Sequence, residues 1–137
     1  MEQTLHTTYG FETKSPYSFN ETVDRVREAF KGEGFGVLTE IDVQKTLKEK
    51  IGTDIPHYTI LGMCNPPLAH RAIEAEPMIG LLLPCNVVVR ETNGSVLIDV
   101  QDPSLMMIYV GNPDLQSVGE EAVEKIRKAM DKIAPNS

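Results

Sequence analysis

Asn86-Val87-Val88-Val89-Arg90-Glu91-Thr92-Asn93-Gly94-Ser95-Val96-Leu97-Ile98-Asp99-Val100-Gln101 contains two strand-length segments rich in β-branched residues, separated by Asn-Gly. Asn93 and Gly94 tolerate the left-handed torsions of a tight two-residue turn, so residues 86–91 and 95–101 are expected to pair as a hairpin. A sheet that contains this hairpin cannot be wholly parallel, because parallel neighbours require a long crossover.

Upstream, strand and helix signals alternate. Residues 3–11, rich in Thr, Tyr and Leu, read as a first strand. Ser18-Phe19-Asn20-Glu21 has capping-box spacing, and Phe19, Val23, Val26 and Phe30 form an apolar stripe, which predicts a helix over 18–31. Gly32-Glu33-Gly34-Phe35-Gly36 follows that helix and opens a strand over 35–41. A phosphate-binding glycine loop needs the opposite order, so these glycines are expected to stop the helix and turn the chain. Asp42 can cap a short helix with Val43, Leu47 and Ile51 at every fourth position, closed by Gly52.

Tyr58-Thr59-Ile60-Leu61-Gly62-Met63-Cys64 is a continuous apolar run suited to a central, largely buried strand. Asn65-Pro66-Pro67 then starts a helix over 66–76, since Asn accepts bonds from free amides and a first-turn Pro loses no needed donor. Leu68, Ala69, Ala72 and Ile73 fall on one face of it, with His70, Arg71 and Glu74 away from that face. Residues 79–83 fit either a buried strand or a connector, and residues 104–110 are equally ambiguous. Asn112-Pro113 opens a terminal helix with Val118, Ala122, Ile126, Ala129 and Ile133 inward, and with Glu121–Lys125 and Glu124–Lys128 as outer pairs. The order predicts one α+β domain over residues 1–137, with helices layered on a mainly antiparallel sheet. A chain of 137 residues can bury roughly two thirds of its unfolded surface in such a core.

The net charge of −7 and the mixing of Lys and Arg with acids argue against nucleic acid as a partner. Residues 1–10 lack the pattern of a signal peptide, and no apolar run could span a bilayer, so the expected location is the cytoplasm, away from membranes. In that compartment two cysteines are expected to act as thiols or as a reversible couple, not as a structural disulfide.

Cys64 falls where a strand ends and a helix begins. Free amides and the positive end of the helix dipole could stabilise a thiolate or an anion there, although Pro66 and Pro67 remove two donors. Cys85 begins a later strand and shares the Cys-Asn dipeptide, so Cys64, Asn65, Cys85 and Asn86 are expected to line one recess. Two thiols underfill a zinc site, and no metal is expected. His70 pairs naturally with Glu74, while His6 and His57 have no ligand spacing. Asp99 and Asp102 read as strand-end and turn acids, and Met106-Met107 as core or pocket filler.

The blocks Tyr58-Thr59-Ile60-Leu61-Gly62-Met63-Cys64-Asn65-Pro66-Pro67-Leu68-Ala69 and Gly80-Leu81-Leu82-Leu83-Pro84-Cys85-Asn86-Val87-Val88-Val89 resemble the characteristic segments of the family called domain of unknown function 302. The resemblance runs from about Thr13 through the last helix. It implies a saddle-like sheet-and-helix fold similar to the TATA-binding-protein (TBP-like) group, and self-association. It implies no activity, substrate or cofactor.

Three functions are compatible with this reading. The first is a small-ligand binding module that captures a compact molecule, an anion being one candidate, at the Cys64-Asn65 helix start, with Cys85-Asn86 lining the same recess. The second is a thiol-dependent redox or transfer enzyme, with Cys64 as nucleophile and Cys85 as resolving thiol. The third is a structural protein acting as a homodimer, in which a partner covers apolar runs such as 79–83 and 105–110 that lack charged gatekeepers.

Overall fold

A computed structural model of the chain describes residues 5–7 and 9–134. The expected first strand is divided: β1 (Leu5–His6) and β2 (Gly10–Ser15) pair antiparallel. The amide of Thr7 donates to Gly10 O at 2.8 Å, and its hydroxyl accepts from Gly10 N at 3.0 Å, which turns the chain between them. Gln3 and Thr4, also assigned to that strand, lie outside the described residues.

Helix α1 (Phe19–Lys31) starts at Ser18, whose hydroxyl accepts from Glu21 N at 3.2 Å. It is followed by β3 (Gly36–Asp42), α2 (Val43–Ile51), β4 (Tyr58–Cys64) and α3 (Pro66–Ala75). The ambiguous run after α3 is neither a strand nor an open connector, because Pro77–Leu82 forms a 3-10 helix. The hairpin is present as β5 (Cys85–Thr92) and β6 (Ser95–Gln101), with Asn93 at φ 50° and Gly94 at φ 79°.

The second ambiguous run is helix α4 (Ser104–Val110). Buried Asp102 starts it by accepting from Ser104 N and Oγ at 2.9 and 2.7 Å. Both runs are therefore helical segments, not the exposed strands that favoured a covering partner. The side chains of Met106 and Met107 lie outside the described residues. A 3-10 turn at Pro113–Leu115 leads into α5 (Gln116–Ile133).

The strands form one sheet in the order β1-β2-β6-β5-β4-β3, with every pairing antiparallel. Alternation along β6 turns Val96, Ile98 and Val100 inward, where they meet Val26 and Phe30 of α1 and Ile126, Ala129 and Met130 of α5. A second core joins Leu68 and Ala72 of α3, Ile79, Leu115, and Val118 and Ala122 of α5. Helix α5 thus belongs to the main core through its C-terminal half and to the second core through its N-terminal half.

Two surface features differ from expectation. Glu124 pairs with Lys128 at 3.4 Å, but Glu121 accepts instead from Arg71 Nη1 at 2.9 Å, a cross-helix bond that fastens α3 to α5. The stripe on α2 buries nothing: Val43 and Leu47 are half-buried and Ile51 is exposed.

A cleft at the seam of the two cores

The β4-to-α3 junction is built from its own sequence and from one distant loop. Asn65 caps α3 by accepting from Leu68 N at 3.3 Å, and its Nδ2 donates to Glu33 O at 3.2 Å. Gly34 makes that approach possible: it sits at φ +87°, and a Cβ there would lie 3.0 Å from Asn65 Nδ2. The glycine-rich segment therefore positions Asn65, a role that spacing along the chain does not signal.

These contacts occupy the helix-start amides that an anion would use. Pro66 and Pro67 have no amide hydrogen, Leu68 N is bonded to Asn65 Oδ1, and Ala69 N to Asn65 O at 2.9 Å. Of the amides at residues 66–69, none is left over for the anionic ligand expected here.

What the junction does border is an apolar cleft of about 340 Å³ between the two cores. Phe35 and Met63 enter from the main core, and Leu68, Ala72, Val118 and Ala122 from the second. Cys64, Asn65, Leu83, Pro84 and Cys85 complete the floor and mouth, where the exposed side chains of Leu38 and Ile73 form an apolar rim. Cys64, Asn65 and Cys85 are thus brought together. Asn86 is not. It is exposed and lines a different recess on the opposite face of the sheet, since consecutive strand residues point to opposite faces.

The two thiols differ. Cys85 is only half-buried as a residue, but its sulfur is turned inward, packs against the main core, and donates weakly to Gln101 O at 3.8 Å. Burial, and secondarily the charge of Asp102, push its thiol up to about 12. A thiol in this state is a poor resolving partner at neutral pH, which weighs against a Cys64–Cys85 exchange couple. Cys64 is half-buried.

Across the sheet, Glu12 and Asp99 are directly opposed on β2 and β6, and Arg90 of β5 bonds both at 2.6 Å. Burial and the adjoining Glu12 push the Asp99 carboxyl up to about 6, against the pull of Arg90, while the hydrogen bond with Asp99 lowers Glu12. Arg90 engages Asp99 Oδ2 and Glu12 Oε2, whereas Asp99 Oδ1 is buried outside that pairing. His70 pairs with Glu74 at 3.0 Å on the outer side of α3, and His57 stacks on Phe19 with ring centroids 4.7 Å apart. Among the described residues, no group of three His, Cys, Asp or Glu could hold a metal ion, and no helix is long and apolar enough to cross a membrane.

The molecule is thus a two-layer α+β domain with an apolar cleft at the seam of its cores. The chain belongs to the DUF302 family: the sequence profile of the domain of unknown function DUF302 matches residues 11–133. It is also similar to the crystal structure of an uncharacterized conserved DUF302 protein from Bacillus stearothermophilus. That similarity covers 93% of this chain and 99% of the other, at 30% identity and a TM-score of 0.86. No curated protein matches the sequence.

Proposed function

We propose that this protein is a small-molecule binding module whose ligand occupies the cleft bordered by Cys64, Asn65 and Cys85. One observation carries the reading: a cleft of about 340 Å³ lies between two separately packed cores, bordered by the end of β4, the start of α3 and the N-terminal half of α5. Pockets of roughly 300–1,000 Å³ with mainly apolar walls are the usual seats of small ligands. The buried, protonated Cys85 favours binding over thiol exchange.

A thermal-shift screen followed by native mass spectrometry tests this. A bound ligand should raise the melting temperature by mass action, and Ala69→Leu, which adds bulk to a half-buried wall position, should abolish the effect. Stabilisation that survives Ala69→Leu would place the site elsewhere. Absence of any stabilising compound across apolar, cationic and anionic sets would remove the binding reading.

A further inference from the structure

The geometry points to a ligand class: a neutral, planar aromatic molecule of about two fused rings, seated in the cleft that the sulfur-bearing residues Met63, Cys64 and Cys85 border. This rests on the binding reading of the same cleft and adds the chemistry of its occupant.

Charge is the first constraint. No Lys, Arg, His, Asp or Glu lines the cleft among the described residues. Asn65, its most polar wall residue, has its side-chain oxygen engaged by Leu68 N and its nitrogen by Glu33 O. An ionised ligand group inside would lose its water without gaining a partner, which is far more costly than burying the same skeleton uncharged.

Size is the second. A dry apolar cavity of about 150 Å³ accepts benzene, and the cleft is about 340 Å³. One ring would leave it underfilled, whereas two fused rings fit within it with room for a substituent.

The third constraint is the lining itself. Met63 and Cys85 are register partners on neighbouring strands, and Cys64 follows Met63 at the strand end, so three sulfur-bearing residues border one cleft. Divalent sulfur is polarisable and makes favourable contacts with aromatic rings, a preference that saturated rings of equal volume do not share. The remaining walls, from Phe35 to Ala122, supply apolar contact without polar direction.

Three probes of one skeleton separate these terms: 2-naphthol, its ring-saturated counterpart decahydro-2-naphthol, and the 2-naphthoate anion. Binding is followed by calorimetry and by the Met63 methyl resonance. The expected result is a Met63 shift with 2-naphthol and binding roughly tenfold tighter than the saturated alcohol from the sulfur contacts. Naphthoate should bind weaker still. Met63→Leu, which keeps volume and removes one sulfur, should reduce the aromatic preference by roughly two- to tenfold.

Naphthoate shifting Met63 with equal or higher affinity would overturn neutrality, and parity of the saturated alcohol would overturn the aromatic assignment. Either result leaves the cleft standing as a binding site. Failure of all three probes to shift Met63 would overturn the ligand class, and the binding reading would then stand or fall by the Ala69→Leu screen.

Discussion

The side-chain amide of Asn65 donates to the backbone oxygen of Glu33 at 3.2 Å, joining two loops 32 positions apart in sequence. The same residue caps α3 through its oxygen. One amide thus holds the turn before β3 against the end of β4, and the cleft mouth lies beside it.

Because the two functions reside on different atoms, two substitutions should separate them. Asn65→Ser keeps a capping oxygen but loses the donor to Glu33, and is expected to destabilise the fold by about 1 kcal/mol. Asn65→Ala loses both contacts and should destabilise by about 2–3 kcal/mol. Urea denaturation reads both values, and equal effects for the two variants would deny Asn65 its double role. Gly34→Ala should be harmful in the native background, because φ is +87° and the new methyl would press on Asn65 Nδ2. Part of that harm should disappear in the Asn65→Ala background, leaving the torsional penalty of roughly 1 kcal/mol or more.

Cys85 predicts a specific alkaline weakness. Its thiol titrates at about 12 in the folded chain against an ordinary value of 9.0. The associated stability is intact below pH 9 and is lost as pH rises through that window, because the unfolded chain releases its proton first. The slope is at most about 1.4 kcal/mol per pH unit. Cys85→Ala should therefore start less stable at pH 7 but lose less stability than the parent between pH 9 and 10.5, read by denaturation at each pH. Parallel pH profiles for the two proteins would contradict a buried, protonated Cys85.

Thr13 is a stabilising opportunity. It faces the core of β2 at 2% exposure, and its hydroxyl has no hydrogen-bond partner among the described residues. Thr13→Val keeps the branched shape and removes an unsatisfied polar atom, so unfolding free energy should rise by about 1 kcal/mol or more. Loss of stability in calorimetry would show that the hydroxyl is satisfied in solution.

Self-association remains the proposal for the exposed apolar side chains at Leu38, Ile73, Met78 and Leu81. Edge strand β3 is a poor pairing surface, since it carries a bulge between Val37 and Thr39 and the charges of Glu40 and Asp42. Contact through side chains, not strand addition, is therefore expected. Light scattering after size-exclusion chromatography at micromolar concentration should return twice the 15.2 kDa chain mass. A mass of one chain would remove the dimer.

Features decided by near neighbours were legible from the amino-acid order. The Asn93-Gly94 turn, the Ser18, Asp42 and Asn65 caps and the inward face of α5 each depend on torsions or spacings within a few residues. The separation of Cys85 from Asn86 was legible in part, since strand alternation turns the two side chains to opposite faces of the sheet. The runs at 79–83 and 104–110 were not legible: apolar residues without period suit either state, and buried Asp102 and its bonds to Ser104 resolve the second. Glu33 beneath Asn65, Glu121 on Arg71, and the meeting of Met63 with Val118 and Ala122 at one cleft depend on packing between elements far apart in the chain. No local propensity encodes such distances. They arise only when α5 closes both cores at once, and the cleft is the space left between them.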